Sequence, residues 1–203
     1  MFLRLKSEVI NRFKKINTPQ YWLDMLVEEL QRKQKQNVAV TGQALAILRH
    51  NEFGDIHRVI PAINIVTNDG DLYYAQSAVA ETPTDDFDAA AAGLRLGTAS
   101  TAPVKTNTDV TTEDSNGRLA IDATYPKTND GDSDNTGAGT DIVTWRFSYS
   151  TSEGNITGIA EGAIVDNRTT PTAALTHFLF AASFNKTSSD TLKVFVNHTF
   201  NGT

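Results

Sequence analysis

The 203-residue chain has no cysteine, which excludes a disulfide framework, thiolate chemistry and a cysteine-ligated zinc site. It also lacks a run of about 18 apolar residues, the length a membrane-spanning helix requires. The first residues, Met1-Phe-Leu-Arg-Leu-Lys-Ser-Glu8, place charges where a signal peptide needs an apolar stretch. Use without Sec-type export is therefore expected. Several catalytic signatures are missing: the Gly-x-Ser-x-Gly elbow, the phosphate loop, His-Glu-x-x-His and the dinucleotide fingerprint. These absences lead to the expectation of a non-enzymatic protein with no cofactor. Apolar residues make up a modest 39%, and Thr, Asn, Asp, Ser and Ala are abundant. That composition suits a β-rich protein with long polar loops, part of whose core is completed by neighbouring chains.

Charge is unevenly spread. Residues 1–58 hold 10 Lys/Arg against 6 Asp/Glu, a balance of +4, whereas residues 59–203 hold 8 against 18, a balance of −10. A basic leader that docks on an acidic surface and a body that faces water fit this asymmetry. The body's negative charge would repel phosphate, so nucleic acid is not expected as a partner.

The chain divides by pattern as well. Phe2, Leu5, Val9, Phe13 and Ile16 recur at helical spacing. Thr18-Pro19 is a helix start signal, and Trp22, Leu23, Leu26, Val27 and Leu30 continue the apolar stripe. A third short helix is predicted over 42–50, capped by Thr41, with Leu45, Ile47 and Leu48 inward. Residues 1–58 thus read as a helical N-terminal anchor. Its partner-binding candidates are Phe2, Leu5, Val9, Phe13, Trp22, Leu26 and Leu30, because buried aromatic and aliphatic anchors dominate interface energetics.

Residues 59–203 read as a β-sandwich domain. Residues 56–66 are rich in β-branched side chains, but Pro61 predicts an edge strand or two short pieces. Asn68-Asp-Gly-Asp71 reads as a turn, and 72–80 fits helix and strand equally. A long loop over 81–116 is predicted to hold one short strand at 93–97. Further strands are predicted near 118–124, 142–151, 156–165, 174–184 and 191–200. The clearest is 142–150, where Val143, Trp145, Phe147 and Tyr149 alternate with Thr144, Arg146, Ser148 and Ser150. Leu192, Val194, Val196 and Phe200 repeat the pattern. The expected fold is mainly β: an antiparallel β-sandwich, jelly-roll or Ig-like, preceded by an N-terminal helical leader.

The order Gly93-Leu-Arg-Leu-Gly-Thr-Ala-Ser-Thr-Ala-Pro103, then Thr108-Asp109, then Tyr125-Pro126, resembles a pattern of tailed-bacteriophage virion structural proteins. In that family a Leu-Gly-Thr-Gly-x-Thr-Ala-Pro loop precedes a Thr-Asp or Asp-Thr step; here Ala99 stands for the second glycine. Val66-Thr-Asn-Asp-Gly-Asp-Leu-Tyr-Tyr74, Asn135-Thr-Gly-Ala-Gly-Thr-Asp141 and Lys186-Thr-Ser-Ser-Asp-Thr-Leu-Lys193 are similar to segments of such proteins. The likeness covers about residues 65–200 and leaves out the leader. It implies a virion component without enzymatic activity: a capsid decoration or cement protein, or else a neck, tail or baseplate component. Other virion proteins would be its partners, as part of a multimer, with no membrane contact.

Few residues offer chemistry. Asp130, Asp132 and Asp134, with Asp141 at the twelfth position, have the spacing of a calcium loop. Asn135 stands where such loops carry glycine, and Asp141 is shorter than the usual Glu, so a flexible acidic hairpin is the plainer reading. His50 and His57 would share a face only in a continuous helix, and His177 and His198 lie on late strands that could pair. Asp85-Asp86 and Glu113-Asp114 read as solvated loop charges. The Asn-x-Thr sequons at Asn155, Asn167, Asn185, Asn197 and Asn201 are ascribed to composition. A carbohydrate-binding β-sandwich module is the alternative function, and it requires aromatics on an outer face.

Overall fold

The computed structural model describes residues 40–50, 54–128 and 141–200. The anchor candidates Phe2, Leu5, Val9, Phe13, Trp22, Leu26 and Leu30, the helices expected before residue 40, and Asp130, Asp132 and Asp134 lie outside the described residues.

Nine strands and one α-helix are described: β1 Val40–His50, β2 Ile56–Val66, α1 Asn68–Ala78, β3 Gly93–Gly97, β4 Leu119–Ala120, β5 Lys127–Thr128, β6 Ile142–Tyr149, β7 Ile156–Val165, β8 Ala174–Lys186 and β9 Asp190–Phe200. All nine strands join one antiparallel sheet in the order β4-β3-β7-β8-β2-β1-β9-β6-β5. The expectation of a mainly β, antiparallel chain holds. The hydrogen bonding, however, makes one curled sheet among the described residues and not two separate ones.

The curl follows from where the apolar faces point. Trp145, Phe147 and Tyr149 of β6 sit opposite Val196, Val194 and Leu192 of β9, and all six are buried. They share one core with Leu94 and Leu96 of β3, Ile159 and Ile164 of β7, and Phe178, Phe180 and Phe184 of β8. Strands near both ends of the sheet order thus pack around the same interior. Asp122, just after β4, ties the ends together. Its backbone N–H donates to Arg146 O at 2.9 Å, and its carboxylate accepts from Arg146 Nε at 2.6 Å and from Ser148 N at 2.9 Å. The Tyr149 hydroxyl adds a bond to Gly117 O at 2.7 Å. Since strand edges left open are templates for wrong pairing, these contacts also protect β6.

Four expectations are corrected. Residues 42–50 are not a helix but most of β1, paired with β2 and β9. Ala44, Ala46 and Leu48 face the main core, while Leu45 and Ile47 join Phe195 in a second apolar cluster on the opposite face. A strand buried on both faces reads as a continuous apolar run, and periodicity alone does not separate it from a buried helix. The sheet therefore begins by Val40, and a division at residue 58 would cut β2 and part β1 from β9 and from most of β2.

Pro61 neither breaks β2 nor makes it an edge along its whole length. It pairs with Leu45 on the β1 side, and pairing with β8 starts only at Ala62. The ring thus falls where β2 has no β8 partner. The expected turn at Asn68-Asp-Gly-Asp71 is instead the first turn of α1: Thr67 caps it by accepting from Gly70 N at 3.0 Å, with Asp69 and Asp71 at the positive end of the helix dipole. The strand expected over 118–124 is two residues long, because Asp122 turns the chain toward β6.

Candidate functional site

Two polar clusters are built around buried histidines, one on each face of the sheet. The outer one forms where residues 104–114 cross over β3, β7 and β8. Glu161 on β7 and His177 on β8 are completely buried there, with Nε2 of the imidazole 2.8 Å from Glu161 Oε2. Glu161 also accepts from the backbone N–H of Thr111 at 3.0 Å and of Thr112 at 2.8 Å. Burial alone would raise its pKa, but the bonds from His177, Thr111 and Thr112 outweigh it and hold the carboxyl below its ordinary range. His177 Nδ1 lies 2.9 Å from Asn107 Oδ1.

Arg95 of β3 completes the cluster. It forms ion pairs with Asp109, at 3.0 Å, and with Glu113, which also takes a two-pronged bond from Arg118. The Arg118 bond is the main reason the Glu113 pKa is lowered; burial raises that of Asp109 against the pull of the Val110 N–H and Arg95. Val110 packs on Ala163, Val165 and Ala174 beside these charges. Gly97 makes the close crossing possible. A Cβ there would stand 2.5 Å from Thr112 O and 2.6 Å from Glu161 Oε1, so any side chain would displace the crossing segment.

The inner cluster is a chain of polar side chains within the apolar core. Trp145 Nε1 donates to the Tyr74 hydroxyl at 3.2 Å, and that hydroxyl lies 2.6 Å from His198 Nδ1. His198 meets Asn64 at 3.4 Å, and Asn64 is bonded by Thr176 Oγ1, which also reaches Ile65 O at 2.8 Å. Burial pushes the His198 pKa down to about 3, so its imidazole is neutral at pH 7. Burial likewise raises that of Tyr74, partly offset by the Trp145 bond.

The sequence-derived candidates scatter. His177 and His198 do not pair: β2 and β1 separate their strands, and they face opposite sides of the sheet. His50 and His57 lie on β1 and β2 and not on a helix; His50 stands opposite Asp190 of β9, and His57 Nδ1 lies 3.8 Å from the Asp190 carboxylate. Asp141 is exposed, with its carbonyl accepting from Phe200 N at 2.8 Å. Among the described residues no group of three or more His, Asp or Glu is arranged to hold a metal. Glu113 is not a solvated charge but part of the outer cluster. Trp145, Phe147 and Tyr149 are buried, so this stripe offers sugars no stacking platform.

Glu161 was not singled out by sequence, although a signal was present. It is the one charged residue within the strand Ile-Thr-Gly-Ile-Ala-Glu-Gly-Ala-Ile-Val, and a lone carboxylate in an apolar strand needs a partner. Two of the resemblance segments contribute to this cluster: Gly93–Gly97 is β3, and Asp109 pairs with Arg95. Tyr125 of the Tyr-Pro step is covered by Arg146, 4.3 Å from the ring centre, and Lys127, 4.5 Å from it. Comparison with protein-family models, with curated proteins and with solved structures finds no match to this chain.

Proposed function

We propose that this chain is a non-enzymatic structural protein of a tailed-phage particle. Within that class, a capsid decoration or cement protein docked through its N-terminal residues is the first reading; a neck, tail or baseplate component is the second. The observation that carries the proposal is the use made of the loop motif. Gly97 and Asp109 serve to fasten the crossing segment to the sheet, and Glu161 and His177 spend their hydrogen-bonding capacity beneath it. Side chains with catalytic potential are thus engaged in holding loops, which supports a scaffold reading.

Two further features favour it. The curled sheet encloses a core as a sandwich would, leaving polar loops outward. The acidic body and basic leader give a built-in polarity for docking on an acidic neighbour. Gradient-purified particles probed by mass spectrometry and immunogold labelling provide the test. Regular labelling of head, neck or tail at stoichiometric copy number is expected. Absence of the chain from intact particles would overturn the proposal.

A further inference from the structure

A cavity of about 180 Å³ lies between residues 88–92, which precede β3, and residues 120–125 at the end of β4. Ala89, Ala120 and Ile121 form part of its wall, and two side chains of opposite charge, Asp88 and Arg168, line it as well. No ion pair joins these two, and among the described residues neither has another ion-pair partner. Two unlike charges thus border one small space without meeting.

Arg168 is held in place by the turn before β3. Its backbone N–H donates to Ala91 O at 3.0 Å, and its Nη1 donates to Ala90 O at 3.2 Å and to Ala92 O. Its stem passes so close to Gly93 that a Cβ there would stand 2.6 Å from Arg168 Cδ. The Nε and Nη2 donors have no partner among the described residues, and neither is sealed from solvent. That edge of a guanidinium matches the two oxygens of a carboxylate. A side-chain hydrogen bond with Asp86, and then burial, holds the Asp88 carboxyl above its ordinary pKa. Two carboxyls so close together favour a cation beside them. Thr124 also lines the cavity, in the left-handed conformation at φ 74°; this is rare for a β-branched residue, and such strain gathers at ligand sites.

We propose that this cavity binds a small zwitterion, an α-amino acid with a short aliphatic side chain, its carboxylate on Arg168 and its ammonium at Asp88. A ligand of single charge would pair with one side chain and leave the other unmatched. The cavity is smaller than sites for drug-sized molecules, and the Ala89, Ala120 and Ile121 wall suits a methyl-sized group. Asp122 borders the same space, but its carboxylate is already taken by Arg146 and Ser148, so it does not compete for the ammonium. This binding goes beyond the structural role proposed above and does not depend on it.

NMR titration of the full 15N-labelled chain with L-alanine tests this, with acetate and methylammonium as probes of single charge. Saturable shifts of the Ala89, Ile121 and Thr124 amides are expected with L-alanine, at a Kd of about 1 mM. Acetate and methylammonium should each bind about tenfold more weakly or worse. Asp88→Asn, at an exposed position, should weaken L-alanine about tenfold and leave acetate binding in place. The proposal is overturned by the absence of saturable shifts up to about 20 mM L-alanine, or by acetate binding as tightly as L-alanine. An unchanged L-alanine affinity in a folded Asp88→Asn chain also counts against it. If that variant fails to fold, the comparison of the three probes on the native chain decides.

Discussion

Asn64 and His198 touch across a strand that lies between theirs. Asn64 belongs to β2 and His198 to β9, yet their side chains meet at 3.4 Å over Gly42 of β1, which pairs directly with His198. The missing side chain at residue 42 is what joins the two halves of the inner polar chain.

Gly42→Ala should therefore be destabilising. A Cβ there would stand 2.4 Å from Asn64 Nδ2 and 2.8 Å from its Cγ, and Asn64 is held by Thr176. Overpacking of a filled interior costs about 1–3 kcal/mol. Urea denaturation of the variant measures it, and a loss under about 0.5 kcal/mol would mean that Asn64 moves aside freely.

Trp145→Ala removes a fully buried side chain that packs in the main core and donates to Tyr74. Equilibrium unfolding should show a loss of about 3–5 kcal/mol. Trp145→Phe keeps most of the ring volume but leaves the Tyr74 hydroxyl one donor short, so a smaller loss of about 1–2 kcal/mol is expected. Equal losses in the two variants would contradict the packing assignment.

Acid should weaken the fold through His198. Its native pKa of about 3 lies below the value of 6.5 for the free side chain, because burial disfavours the imidazolium. The unfolded chain takes up a proton below about pH 6.5 that the native chain refuses until far lower. The contribution is complete above that point and is lost as pH falls, by roughly 2–3 kcal/mol at about pH 4.5. His198→Gln should be less stable at neutral pH but show a shallower acid slope. Urea midpoints at several pH values, compared between the two chains, decide it; parallel slopes would assign the acid sensitivity elsewhere.

Removal of β1 should abolish cooperative folding. A chain starting at Val59 lacks the strand that pairs with both β2 and β9, along with Ala44, Ala46 and Leu48 of the core. Circular dichroism during thermal unfolding should show no sharp transition. A truncated chain that melts at the full-length midpoint would show β1 to be dispensable.

Legibility in the sequence depended on contrast between faces. β6 was readable because Trp145, Phe147 and Tyr149 alternate with polar residues, and its register against β9 then followed the same pattern. β1 was not, since Leu45 and Ile47 are as apolar as the Ala44, Ala46 and Leu48 set behind them. Pro61 by its type predicts an edge strand or a break, whereas its tolerance depends on where β8 diverges, a tertiary fact. The outer cluster joins residues 95, 109, 113, 161 and 177, which only sheet register brings together. Each of these side chains is visible alone; their pairing is not. Asp122 is similar, because nothing local marks it as the tie between β4 and β6.

The pairing of β1 with β9 has a mechanical consequence. Val40 lies opposite Phe200, and His50 lies opposite Asp190. A pull applied between Val40 and Phe200 therefore acts on neighbouring ends and unzips the two strands one residue pair at a time. A pull between Val40 and the Asp190 end instead loads the ladder in shear, so its bonds resist together. A body tethered through the chain before Val40 would best withstand tension if its other attachment lay at the far, Asp190 end of the sheet.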